Sequence, residues 1–135
     1  YRPVFNDFFS LLDFERKQAG YPTISELDQA EHFKVPVHTK GEHASVLIYA
    51  CAAADFMAIP KDKYEIAAVM GNSMGWYIAC ALAGALSPKN AFQVIHTMGA
   101  MMKDGVVGGQ IIYPVVNSLW QMDPQKKQMV QDVCA

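Results

Sequence analysis

Residues 66–88 carry no charged side chain, and this uncharged stretch limits what the chain can fold into more than any other feature. Such a stretch is long enough to cross a bilayer as one helix. Its centre, however, is interrupted by glycines and small polar residues, namely Gly71, Asn72, Ser73 and Gly75. A second uncharged stretch, residues 105–122, is broken in the same way by glycines and Pro114. The sequence therefore predicts no transmembrane helix and no membrane partner.

The composition excludes several further classes of protein. Of 135 residues, 52% are apolar and 18% are charged, which suits one domain with a real core and excludes an intrinsically disordered chain. With 11 basic and 13 acidic residues the net charge is −2, so no nucleic-acid partner is expected. The three cysteines, Cys51, Cys80 and Cys134, are too widely spaced for a disulfide framework or a zinc site. They suit a reducing, cytoplasmic compartment, and no metal is expected.

Hydrophobic periodicity predicts helices over much of the chain. The predicted helices cover residues 4–17, 42–57 and 76–85, with a short one near residues 24–33. Ser87-Pro88 and Asp123-Pro124 each supply an N-cap and a first-turn proline for a further helix. In the helix after Ser87, the predicted core stripe is Ala91, Val94, Ile95, Met98, Met101 and Met102.

Two short apolar runs are predicted to be strands. Residues 66–70 follow a charged turn and lead into the glycine cluster, and residues 110–116 follow a glycine-rich break. Taken alone, a run of this length fits either a strand or a buried helix segment. The sharp turn and the helix that follow residue 70 favour a strand, and the order strand, turn, helix predicts an α/β fold.

The turn between the first predicted strand and the next helix has the pattern G-x-S-x-G, formed by Gly71, Ser73 and Gly75. In this context the serine is a candidate nucleophile, because the glycines let strand and helix approach while the serine projects from a strained bend. The helix N-terminus favours a developing anion, and the N–H of Met74 is the candidate oxyanion donor. The alternative interpretation is a glycine-rich turn in which Ser73 serves only as a helix N-cap.

A longer set of residues resembles a known family. The set is Gly71-Asn72-Ser73-Met74-Gly75-Trp76-Tyr77, then Ala83-Gly84-Ala85-Leu86-Ser87, Ala91, Gly99 and Met102. In order and spacing it resembles the malonyl-CoA:acyl-carrier-protein transacylase family, the acyltransferase domain of fatty-acid and polyketide synthesis. The resemblance implies an α/β hydrolase-like core with a strand, a nucleophile elbow and a helix. Residues 1–109 would belong to the large subdomain and residues 110–135 would begin a small ferredoxin-like subdomain, so the chain is expected to be an incomplete part of such a domain.

The resemblance also implies an activity. Ser73 would accept an acyl group from acyl-CoA as an ester and pass it to the phosphopantetheine thiol of an acyl carrier protein. Coenzyme A and phosphopantetheine then act as donor and acceptor, and no bound cofactor is expected. Asn72 stands where the family usually has histidine and Trp76 where it usually has glutamate, so both are expected to contact the substrate.

Two further residues are candidates for substrate binding by the same resemblance. Met98 stands where malonyl-specific members of the family carry an arginine that pairs with the carboxylate of the substrate. A thioether has no charge with which to pair a carboxylate, so a neutral acyl group, acetyl or longer, is expected in place of malonyl. His43 lies near the position of a substrate-contacting glutamine in the family.

The resemblance does not place a general base for Ser73 within this chain. The family's histidine and its G-Q-G segment would lie outside residues 1–135, so the chain alone is expected to be inactive. His32, His38 and His96 are expected to face solvent. Two other functions fit the same turn: a serine hydrolase, either a thioesterase or a patatin-like lipase, and a non-catalytic scaffold within a synthase. A patatin-like enzyme needs an Asp-Gly dyad, and Asp104-Gly105 is interpreted instead as a helix end.

Overall fold

A computed structural model describes residues 5–103 and 112–135 of the chain. The described residues form seven helices, which are α1 (Asn6–Gln18), α2 (Ile24–Asp28), α3 (Val35–His38), α4 (Gly41–Met57), α5 (Gly75–Leu82), α6 (Pro88–Met101) and α7 (Pro124–Cys134). The chain divides into two compact units, residues 1–105 with α1 to α6 and residues 106–135 with α7. The subdomain boundary predicted between residues 109 and 110 lies outside the described residues.

The predicted α/β hydrolase-like fold is wrong, because the described part of the chain contains helices and no strand. Residues 66–70 form neither helix nor strand, and Met70 is 94% exposed. Of the second predicted strand, residues 112–116 show only an isolated bridge between Val116 and Met122. A strand needs a neighbour for its N–H and C=O groups, and the described residues place no second strand beside residues 66–70. Of the strand and helix predicted to begin a ferredoxin-like subdomain, residues 112–135 show the helix, α7, and no strand.

The first unit is built around α4, whose start and end agree with the prediction from its alanine-rich, nearly all-apolar sequence. Helix α6 packs against α4 more extensively than any other pair of helices in the described chain. Glycine makes this close approach possible, since a Cβ atom on Gly99 would lie 2.5 Å from the Gly41 carbonyl oxygen and would also collide with Ser45 Oγ. The buried core comprises Leu12, Ile24, Val46, Tyr49, Ala50, Ala53, Ile78, Ala91, Phe92 and Ile95.

The predicted helix starts are confirmed where a capping side chain marks them. Ser87 Oγ accepts the N–H of Asn90 at 3.2 Å before Pro88, and Asp123 accepts the N–H groups of Gln125 and Lys126 before Pro124. Thr23 and Glu26 also form a reciprocal capping box at the start of α2. Local signals of this kind need only a few neighbouring residues, so they can be seen in sequence.

The methionines of α6 do not form the predicted core. Met98, Met101 and Met102 are exposed, whereas Ala91, Ile95 and Gly99, spaced four residues apart, are buried. Because α4 meets α6 through glycine and serine, only small side chains fit between the two helices at that end. The methionine side chains therefore stay largely exposed beside the contact, where Met102 Sδ would lie 3.6 Å from a Cβ atom on Gly41.

The second unit is described over residues 112–135. Asn117 Oδ1 accepts the N–H groups of Leu119 at 2.9 Å and Gln121 at 3.0 Å, which closes a tight turn. Helix α7 follows and has no buried residue, and Lys126 Nζ donates to the Val116 carbonyl at 2.9 Å. Across the described residues of both units, no helix combines the length and the apolar character needed to span a membrane.

Candidate functional site

Ser73 has a backbone conformation that is uncommon for any residue other than glycine. Its φ is +53°, in the left-handed region, and the residue is exposed to solvent. An L-residue held there costs about 1–2 kcal/mol, because Cβ crowds the following carbonyl. Such strain persists only where surrounding structure enforces it.

Hydrogen bonds of the following turn hold Ser73 in place. The N–H of Gly75 donates to the Asn72 carbonyl at 2.8 Å, and the N–H of Trp76 donates to the Ser73 carbonyl at 3.1 Å. Helix α5 then begins at Gly75 with Met74 as its N-cap residue, and no side chain caps it. Ser73 Oγ is therefore not an N-cap, and the hydroxyl is left on the outside of the bend.

Gly71 supplies the second constraint. A Cβ atom built on Gly71 would lie 2.7 Å from Gly75 Cα and would collide with the Gly75 carbonyl group. A Cβ atom on Gly75, in contrast, meets nothing within 4 Å. The close approach predicted for both glycines of the motif thus depends on the missing side chain of Gly71 alone.

The residues of the Ser73 turn carry no charge. Asn72 is exposed and Trp76 is 66% exposed, while Met74 is partly buried against the core and Ile78 is buried one turn further on. Met70, the nearly fully exposed residue before Gly71, was not predicted as a site residue. It could have been found as the last apolar residue of the run that leads into the turn.

Backbone N–H groups at this turn are one possible source of anion stabilisation. No hydrogen bond within the described chain uses the N–H of Met74, whereas the N–H groups of Gly75 and Trp76 are bound to carbonyls. The free N–H adjoins the positive end of the α5 dipole. The N–H of Met74 is therefore available as a donor at this turn, and its role as the oxyanion donor stays a prediction.

Two predicted substrate residues lie on other helices. His43 is buried at the start of α4, where Nδ1 donates to the Val37 carbonyl at 2.9 Å and the ring meets the edge of Tyr21. Met98 lies on α6 and is 41% exposed. The structure thus gathers residues 71–76 into one turn, and the described contacts of His43 lie with Val37 and Tyr21 instead of with that turn.

The other histidines divide into one exposed and two packed rings. His32 is exposed, as expected. His38 is buried instead, and its ring nitrogens bind the Leu27 carbonyl at 3.1 Å and the Lys34 N–H at 2.9 Å. His96 is also packed, because it stacks on Phe92 and lies against Tyr21. The expectation that His38 and His96 face solvent is therefore wrong, since backbone groups cover the first ring and two aromatic rings cover the second.

The part of the chain that the structure describes has no group of three histidine, cysteine or acidic side chains arranged to bind a metal ion. Asp104-Gly105 lies outside the described residues. No family model, curated protein or solved structure matches this chain. The chemistry of the Ser73 turn is therefore the basis for a functional proposal.

Proposed function

We propose that this chain belongs to an acyltransferase that moves an acyl group from coenzyme A to an acyl carrier protein through an ester on Ser73. The observation that supports it best is the left-handed, exposed Ser73 in a bend that Gly71 alone permits. A backbone penalty at an exposed hydroxyl gives no packing benefit, and residues held in strained conformations cluster at functional sites.

The chemistry proceeds in two balanced steps. In the first, Ser73 Oγ attacks the thioester carbonyl, the C–S bond breaks, and the serine proton leaves with the coenzyme A thiol. In the second, the phosphopantetheine thiol attacks the ester, the C–O bond breaks, and Ser73 recovers a proton. In both steps the tetrahedral oxyanion accepts a hydrogen bond from the N–H of Met74.

The surroundings of Ser73 favour a neutral acyl group over malonyl. No charged residue occurs from residue 66 to residue 88, and the exposed side chains beside the turn are Met70, Asn72 and Trp76. Met98 adds no cation for a carboxylate. We therefore propose acetyl or a longer chain as the transferred group, with Asn72, Trp76 and Met98 as substrate contacts and His43 as a less direct one. The proposed setting is the cytoplasm, where coenzyme A and carrier proteins serve as substrate and partner.

The need for a general base limits the rate of the first step. The rings of His38, His43 and His96 bind partners elsewhere, and His32 is exposed on the segment before α3. Serine is a weak nucleophile until it loses its proton. Consistent with the expected inactivity of this chain alone, acylation should be undetectable at neutral pH and should become measurable only as the alkoxide fraction rises.

The test is intact-mass detection of an acyl adduct after incubation with acetyl-CoA at about pH 9, where the alkoxide is more abundant. We expect an adduct that maps to the peptide containing Ser73, that forms faster from acetyl-CoA than from malonyl-CoA, and that is absent in Ser73→Ala. Ser118→Ala, which alters an exposed serine of the second unit, is the matched control and retains the adduct.

Adding an acyl carrier protein then separates the alternative functions. Transfer of the acyl group to the phosphopantetheine thiol supports the proposal. Release of free acid without transfer identifies a serine hydrolase instead. An adduct that survives in Ser73→Ala, or no adduct under any of these conditions, contradicts the role proposed for Ser73.

A further inference from the structure

Among the described residues of the first unit, Arg16 is the most completely buried charged side chain, with no exposed surface. Its Nε donates to the Pro22 carbonyl at 2.7 Å, and its Nη1 donates to the Glu42 carbonyl at 2.6 Å. The side chain thus joins α1 to the segment before α2 and to the first turn of α4. Its Nη2 has no hydrogen-bond partner, so this buried cation is already short of one acceptor.

His96 of α6 provides the remaining contact. Its Nδ1 lies 3.4 Å from Arg16 Nη1, its ring stacks on Phe92 at 5.5 Å, and it meets Tyr21 edge-on at 4.7 Å. The guanidinium also lies 4.9 Å from the centre of the Tyr21 ring. Arginine can only donate, so this geometry requires a lone pair on Nδ1 and therefore a neutral imidazole.

We propose that His96 and Arg16 form a pH-sensitive latch that holds α1 against α4 and α6 when the imidazole is neutral and releases α1 when it is protonated. Protonation removes the acceptor at Nδ1 and places a second cation against a buried guanidinium. The groups that face His96 are Arg16 of α1, Tyr21 of the following loop and Glu42 of α4, and His43 shares the Tyr21 ring.

The surroundings of the His96 ring agree with release of α1 on protonation. Burial, followed by the charge of Arg16, lowers the pKa of His96 below its ordinary value of 6.5, and the carboxylate of Glu42 opposes them with a smaller effect. The unfolded or detached ring therefore binds a proton at a higher pH than the docked ring. Stability from the docked state is present above pH 6.5 and is lost as the pH falls below that value.

Hydrogen exchange of the α1 amides, read by mass spectrometry on the whole chain, tests the latch. After correction for intrinsic exchange, we expect protection of α1 to fall at least about fivefold between about pH 7.5 and about pH 5.5, the effect of two like charges in contact in water. His96→Asn keeps an acceptor near the position of Nδ1 and does not titrate, so its α1 protection stays constant. His32→Asn alters an exposed histidine and behaves like the unaltered chain.

Constant α1 protection in the unaltered chain, or an equal loss in His96→Asn, overturns the proposal. If His96→Asn does not fold, the titration of the His96 ring by NMR in the unaltered chain decides. A midpoint below 6.5 accompanied by loss of α1 protection supports the latch, and a midpoint at or above 6.5 refutes it. Neither result depends on acylation of Ser73.

Discussion

The Ser73 turn and the α4–α6 contact both depend on a glycine that approaches backbone, yet they use that approach for different ends. At the contact, Gly99 lets the buried faces of α4 and α6 pack around small side chains. At the turn, Gly71 lets the chain reverse so tightly that an exposed serine is held with a φ of +53°. The α4–α6 contact buries surface and stabilises the fold. The Ser73 turn instead holds a residue in an unfavourable backbone conformation and leaves its side chain exposed. Close backbone approach alone therefore does not distinguish a candidate functional site from a packing contact. Exposure of the neighbouring side chain does.

Enlarging Gly99 should have the largest effect on the fold. In Gly99→Ala the new methyl collides with Ser45 Oγ and lies 2.5 Å from the Gly41 carbonyl oxygen, so α4 and α6 must separate. We expect the free energy of unfolding to fall by about 3 kcal/mol, as for other overpacked cores. Urea unfolding followed by circular dichroism measures it.

A double substitution shows whether the loss arises from this collision. Ser45→Ala in the Gly99→Ala background removes the Oγ atom and should restore part of the lost stability. Equal stabilities of Gly99→Ala and the unaltered chain would mean that the helices are not held at this distance.

The two glycines of the turn offer a matched pair. Gly71→Ala introduces a methyl against the Gly75 backbone, and we expect a loss of about 2 kcal/mol and at least a tenfold slower acylation of Ser73. Gly75→Ala adds its methyl to open space at the start of α5, where alanine is the better helix former, and should change neither quantity by as much. Urea unfolding and the intact-mass assay measure the two effects. Similar behaviour of the two variants would remove the argument that the bend requires glycine at position 71.

Sequence information predicted the local parts of this molecule and failed on the distant ones. The extent of α4 and the starts at Ser87 and Asp123 were predicted because caps and composition act within a few residues. The strand at residues 66–70 was wrong because an apolar run does not specify whether a second strand lies beside it. The tight turn at Ser73 could be anticipated from its glycines, because it forms within residues 71–76.

The buried polar residues were missed for a related reason. Arg16 follows Leu12 by four residues on α1, so helical spacing alone places both on one face, yet arginine is rarely fully buried. Its partners Glu42 and His96 lie far along the chain. Only the packing of α1, α4 and α6 brings such groups together, and no short sequence pattern records that packing.

Relieving the strain at Ser73 should separate stability from function. Ser73→Gly removes the Cβ atom that makes a positive φ unfavourable, and we expect the free energy of unfolding to rise by about 1 kcal/mol while acylation is lost. Ser73→Ala also removes the hydroxyl but keeps Cβ, so its stability should stay near that of the unaltered chain. Thermal unfolding compares the two, and equal stability of the variants would show that the backbone at Ser73 is unstrained in solution.

The smallest expected effect is that of a single substitution of Ser45, which lies at the α4–α6 contact. Its Oγ is buried without a hydrogen-bond partner, so the cost of its desolvation is not offset by a hydrogen bond. Ser45→Ala removes that hydroxyl, and since alanine also favours the helix, we expect a stabilisation of about 0.5 kcal/mol in urea unfolding. A loss of stability of similar size would mean that the hydroxyl has a partner in solution. The sign of this change therefore tells whether water reaches the α4–α6 contact. If water enters, it can hydrogen-bond to Ser45 Oγ, and the substitution then loses that bond. If the helices pack without water, Ser45 Oγ stays unpaired, in contrast to the exposed Ser73.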